Sequence, residues 1–126
     1  MADLSIFWVA QQHARWLMER QSAIAENIAH AASPGFRASD VAAFAASVDA
    51  ANMYMTMTDE RHLQAMTGSR QAGQRIVLKG EPISHSGNNV SLDQQLLMSN
   101  EVHQGYALNT GIVRSLHRMI MSSAKS

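Results

Sequence analysis

Nothing in the first 33 residues breaks a helix, because no proline occurs before Pro34 and no glycine before Gly35. Over residues 4–32 the apolar side chains fall at alternating spacings of three and four, at Phe7, Ala10, Ala14, Leu17, Ile24, Ile28 and Ala31, with Gln21 as a polar interruption. The spacing predicts one helix over residues 3–32, capped by Asp3, roughly 30 residues and about 45 Å long. Few chains of 126 residues commit so much of their length to one element.

The stop is equally sharp. Pro34 cannot continue the helix and pushes Ser33 toward an extended conformation, while Gly35 permits the positive φ of a tight turn. Phe36 and Arg37 then restart the chain and are expected to anchor the turn against a neighbouring helix, in the same chain or the next. Over residues 33–52 a short helix is expected after this turn, capped by Ser39 or Asp40, with Val41, Phe44 and Val48 on one face.

Residues 53–91 carry weaker signals. Met53, Met55 and Met57 alternate with polar residues and form either an adaptable contact surface or loose filler. The stretches "TGSRQAGQ" and "SGNN" are turn chemistry, and only residues 75–78 look strand-like, without a partner that the sequence names. This reads as an irregular arm that orders against a partner.

Residues 92–124 are helical again, with Ser91 or Asp93 as cap. One seam at heptad spacing holds Val102, Tyr106, Asn109, Val113, Leu116 and Ile120; a second holds Leu97, Gly105, Leu108, Ile112 and Met119. Two stripes on one helix exceed what a single partner helix covers, so the second is expected to meet another chain. The expected fold is all-α: long terminal helices paired antiparallel in a coiled-coil-like manner, a short second helix, and a middle arm with at most one or two short strands. The whole forms a single domain over residues 1–126.

Composition narrows the function. Hydrophobic residues make up 46% of the chain, but aromatic residues only 6%, which predicts a thin core or one completed by neighbouring subunits. Ten basic and ten acidic residues balance, so no net field draws in nucleic acid. Without cysteine there is no disulfide framework and no thiolate chemistry. No apolar run is long enough to span a bilayer, and Asp3 stands where a secretory leader carries basic residues, so neither membrane insertion nor a cleaved signal peptide is expected.

No reaction centre emerges. The histidines His13, His30, His62, His85, His103 and His117 lack the i, i+4 pairing of a helical metal site. Glu19 and Glu26 read as a polar helix flank and Asp59-Glu60 lies in the weak middle region, both as solvated surface. Ser122 and Lys125 match Ser-x-x-Lys only formally, and Asn89-Val90-Ser91 matches a glycosylation pattern by chance. No catalytic residue, metal or cofactor is expected.

The stretch "IAENIAHAASPGFR" resembles the N-terminal signature of the bacterial flagellar rod, hook and hook-associated axial proteins, approximately N-N-I-A-N-A-x-T-P-G-[FY]-[KR]. Asn27, Ile28, Ala29, Ala31, Pro34, Gly35, Phe36 and Arg37 match it; Glu26, His30 and Ser33 depart from it. The second half, from "SGNNVSLDQQLL" onward, looks like the entry and C-terminal helix of the short proximal-rod members, and the chain has no room for the long β-rich insertions of distal members. The resemblance implies a structural subunit of the basal body, exported through the flagellar type III apparatus, that polymerises in the periplasm with copies of itself and with other rod proteins to transmit torque. Phe7, Leu17, Ile24, Ile28, Leu97, Val102, Tyr106, Leu108, Ile112, Val113, Leu116 and Ile120 are the expected packing and assembly residues. The rival expectation is a helical adaptor or export-substrate chaperone that binds a partner helix in a groove.

Overall fold

The computed structural model describes residues 2–46, 48, 75–79 and 83–125. Helix α1 runs over Ala2–Ala29 and helix α2 over Leu92–Lys125, about 42 and 51 Å at 1.5 Å per residue. Asp3 lies inside the first turn of α1 rather than capping it. The two helices pack antiparallel: Asn109 Nδ2 donates to the Ala10 carbonyl at 3.1 Å, and Asn27 Nδ2 donates to Gln95 Oε1 at 2.9 Å. Between those points Gly105 faces Leu17 so closely that an added Cβ would lie 3.3 Å from Leu17 Cδ2.

The α2 face turned to α1 is therefore Gln95, Met98, Val102, Gly105 and Asn109, spaced three, four, three and four. Glycine belongs to this inner seam and not to the outer one, because a bare Cα lets the helices approach. Tyr106, expected inside, is half exposed.

α1 stops three residues earlier than the apolar spacing suggests, and single-turn hydrogen bonds carry the chain on: Ala31 N to the Ile28 carbonyl and Ser33 N to the His30 carbonyl. Ser33 to Phe36 then form a β-turn closed by Phe36 N on the Ser33 carbonyl at 3.3 Å. Pro34 fills the position that needs φ near −65° and Gly35 the next, at φ 72°, which is the residue order of a type II turn.

After the turn the chain runs back along α1. Residues 39–41, expected to cap and begin a short helix, instead form strand β1 (Ser39–Val41), which pairs antiparallel with β2 (Arg75–Val77) in the register Ser39 to Val77, Asp40 to Ile76 and Val41 to Arg75. β2 is the strand-like stretch whose partner the sequence left unnamed. Helical conformation resumes only at residues 44–46 and 48. Met53, Met55, Met57, Asp59, Glu60 and His62 lie outside the described residues.

Aromatic and ionic contacts hold the returning segment. Trp16 Nε1 donates to the Ala42 carbonyl at 2.7 Å, and Phe44 packs edge-on against His13 with ring centroids 4.9 Å apart. Arg20 lies over the Trp16 ring, forks onto Asp40 through Nε and Nη2 at 3.2 and 3.4 Å, and reaches Glu101 of α2 at 3.4 Å. Arg20 and Asp40 are mostly buried, so their planar fork joins α1 to β1 more firmly than a surface pair does.

The core is small: Leu17, Ile24, Met98 and Val102, with Trp16 packed against it. With so few members each carries much of the stability. Leu17→Ala is expected to cost about 2–5 kcal/mol, as large-to-small changes in buried positions do. Leu108→Ala, at a side chain 67% exposed, should fall within about 0.5 kcal/mol. Urea unfolding followed by circular dichroism compares the two.

Candidate functional site: an amide-clamped junction and two open apolar faces

The signature residue Asn27 lies fully buried on the last turn of α1, where a side-chain amide needs partners for every polar atom. It has them. Its Nδ2 donates to the Ser39 carbonyl at 2.7 Å and to Gln95 Oε1, and its Oδ1 accepts the Ser39 N–H at 3.0 Å. The amide thus bonds both polar groups of one β1 residue, as a neighbouring strand would, and closes that edge of β1. Gln95, also fully buried, ties the same point to α2 and turns its Nε2 toward Met98 Sδ at 3.9 Å.

Asn89 performs the equivalent task on the other side of β1. Leu78 N donates to the Ala38 carbonyl at 2.9 Å, but the return rung is replaced: Ala38 N donates to Asn89 Oδ1 at 2.6 Å, and Asn89 Nδ2 donates to the Leu78 carbonyl at 3.3 Å. The side chain stands inserted in the ladder. Its burial also closes the formal glycosylation pattern at this position, since both ends of the amide are engaged.

Asn88 seals the turns that follow α1. Asn88 Nδ2 lies 2.8, 3.0 and 2.8 Å from the carbonyls of His30, Ala31 and Ser33, while its Oδ1 accepts the Val90 N–H at 2.7 Å in an Asx turn that leads into α2. The turn of residues 84–87 lies directly on the Ser-Pro-Gly turn, with Gly35 N donating to the Ser86 carbonyl at 2.9 Å. Gly87, at φ 80°, takes a left-handed conformation that a side chain would strain, and it lies against Gly35, whose Cα would be 3.4 Å from an added Cβ.

The matched signature residues divide by role. Asn27 and Gly35 hold the junction, and Ala31 is half buried beside it. Phe36 stacks on His30 with centroids 4.6 Å apart, an anchor within its own turn rather than on a neighbouring helix. Ile28, Ala29, Pro34 and Arg37 face outward. Glu26, one of the departures, pairs with Arg75 of β2, which also donates to Ser22 Oγ. Asn88, Asn89 and Gln95 were missed as junction residues because a polar residue near a glycine reads as turn and one in an amphipathic helix reads as surface.

The expected packing residues also divide. Leu17, Ile24 and Val102 are buried, and Phe7, Val113 and Leu116 are half buried. Ile28, Leu97, Tyr106, Leu108, Ile112 and Ile120 are exposed, together with Ile6, Trp8, Val9, Met18, Met119 and Met121. Large apolar side chains thus line the outside of both helices, well beyond the scattered exposure ordinary in a monomer. Among the described residues no cluster of three histidine or acidic side chains gathers.

Paired terminal helices, a Ser-Pro-Gly turn locked by buried amides and an apolar exterior describe a structural protein of the flagellar axial kind. The chain is 32% identical over 133 aligned residues to the flagellar basal body rod protein FlgB of Agrobacterium fabrum (strain C58), an alignment that covers 99% of this chain and 96% of that protein. It belongs to the FlgB family. No family model matches the chain.

Asn27→Ala leaves the Ser39 N–H and carbonyl and Gln95 Oε1 without their partner, and an unsatisfied buried group costs about 1–3 kcal/mol. Asn27→Asp should be worse than Asn27→Ala, because a carboxylate oxygen then faces the Ser39 carbonyl where a donor is required. Thermal unfolding, with amide exchange at Ser39 as the local readout, tests that order; equal melting temperatures for the wild type and both variants would remove Asn27 from the load path.

Proposed function

We propose that this chain is a structural subunit of the flagellar rod that acts as one rod-protein unit and carries out no reaction of its own. The observation that carries the reading is the apolar exterior of α1 and α2, which a subunit needs for lateral packing and which a self-contained enzyme of this size would bury. Similarity to FlgB over nearly the whole chain supports the same reading. The terminal helices pack on one another within the subunit and bury their remaining stripes, Leu97, Leu108, Ile112 and Ile120 among them, between subunits. Heterologous contacts of this kind that do not close on themselves produce rods.

In this reading the partners are copies of the chain and other rod proteins. The chain reaches its place through the flagellar type III apparatus and works in the periplasmic part of the basal body, where the rod carries torque. The amide junction makes mechanical sense there, because it ties α1, β1, β2 and α2 at one point.

Genetic deletion discriminates this from a chaperone. A rod subunit, when deleted, abolishes the rod and motility with the exporter still assembled, whereas selective loss of one exported client would identify a chaperone instead. Ile28→Asp and Ile112→Asp sharpen the test. Their side chains are 38% and 46% exposed, so both variants should keep the wild-type helix content as isolated chains, yet fail to restore motility in a deletion strain, since burial of an unpaired charge in an interface is strongly disfavoured. Normal swarming by both would take these faces out of the assembly contact.

A further inference from the structure

Of the nine methionines, Met18, Met98, Met119 and Met121 fall among the residues whose side chains are described, and they occupy two kinds of environment. Met98 is buried in the cluster of Leu17, Ile24 and Val102, with Gln95 Nε2 3.9 Å from its sulfur. Met18, Met119 and Met121 are 65%, 60% and 50% exposed. A thioether open to solvent is an apolar side chain that a mild oxidant converts to a polar one.

Met119 and Met121 are two residues apart in α2 and have different neighbours. At 3.6 residues per turn Met119 falls within about 20° of Leu108 and Ile112 around the helix axis. It thus belongs to that exposed apolar stripe, and with Leu116 and Ile120 it borders a shallow depression. Met121 lies about 160° away from Met119, on the side that carries Arg114, Arg118 and Lys125. Arg118 and Lys125 stand one turn to either side of it.

We infer that Met119 is an oxidation-sensitive site, at which a peroxide converts the free subunit from a form that assembles to one that does not. The inference rests on the rod-subunit reading, which buries the stripe of Leu108 and Ile112 between chains. In the step the sulfur lone pair attacks one oxygen of hydrogen peroxide, an S–O bond forms and the O–O bond breaks. The sulfur gives up two electrons, and the second oxygen leaves as water once it takes the proton of the first. A sulfoxide reductase reverses the change with two thiols, which become a disulfide as the oxygen departs as water. The sulfoxide oxygen is a strong acceptor, and burying it against an apolar face leaves it without a donor. At Met121 the same oxygen has the cations of Arg118 and Lys125 beside it. Met98 is shielded by the core and reacts only when the helix pair opens.

The full chain treated with hydrogen peroxide, and followed by peptide mass spectrometry, should gain one oxygen at Met18, Met119 and Met121 about tenfold faster than at Met98. In urea that difference should vanish. Equal rates in the native chain would overturn the inference. In a deletion strain Met119→Gln, whose amide oxygen stands for that of the sulfoxide, should fail to restore motility. Met121→Gln and the oxidation-resistant Met119→Leu should restore it, and all three isolated variants should keep the wild-type circular dichroism. Normal motility with Met119→Gln would overturn the inference, as would failure of Met119→Leu, which would make the thioether itself the requirement, or failure of Met121→Gln, which would remove the distinction between the two faces. The rod-subunit reading is decided separately: if Met119→Gln swims while Ile112→Asp does not, that reading stands and this inference falls.

Discussion

A single carboxamide holds the architecture together. Asn27 sits where α1 ends, where β1 begins its return and where α2 passes, and its three hydrogen bonds reach both polar groups of Ser39 and the Gln95 side chain. Such a group is safe in the interior only if every donor and acceptor is met, and here they are. Asn88 and Asn89 repeat the device within a few residues, one on the carbonyls of the turns that follow α1 and one inside the β1–β2 ladder. Each asparagine supplies the peptide-like groups that a longer sheet or a longer helix would have provided. A chain that spends about half of its length on two helices thus seals a three-way junction largely with side chains.

The rest of the molecule follows from this placement. Because the junction closes one end of the helix pair, the apolar cluster of Leu17, Ile24, Met98 and Val102 can be small and still be enclosed. Away from it, two helices by themselves cannot surround a core, since each presents only one stripe to the other. The apolar exterior is the geometric consequence of a two-helix layer, and burying it requires neighbours.

Much of this was legible in the sequence, and the limits have identifiable causes. The two long helices and the break at Pro34 and Gly35 follow from periodicity and backbone chemistry, which act locally. The signature residues pointed to the family because their spacing is specific. Ser39 to Val41 were misread as a helix start because Ser and Asp are good caps wherever they stand; what makes them a strand is Asn27 on one side and β2 on the other, neither of which is local. Gly105 was assigned to the outer stripe and Tyr106 to the inner one because a hydrophobic pattern ranks tyrosine above glycine, whereas close helix contact at Leu17 reverses that order. Asn88 and Asn89 looked like ordinary turn residues because most of the backbone groups they serve, the carbonyls of His30, Ala31 and Ser33 and the Ala38 N–H, lie more than 50 positions away.

The arrangement inverts the usual division of labour between polar and apolar groups, and the inversion has a reason. An antiparallel pair held only by apolar stripes at heptad spacing can slide by one repeat and keep most of its contacts. Sliding would separate Asn27 from Gln95 and Asn109 from the Ala10 carbonyl, and would carry Gly105 away from Leu17. Buried amides at defined positions therefore select one register among several that hydrophobicity alone would allow. That selection matters more for a subunit than for a free globule. The offset between α1 and α2 sets where Ile6 and Val9 lie relative to Leu108 and Ile112, and a neighbouring chain packs against the composite surface rather than against either helix. The polar interior thus determines the apolar exterior that a partner meets.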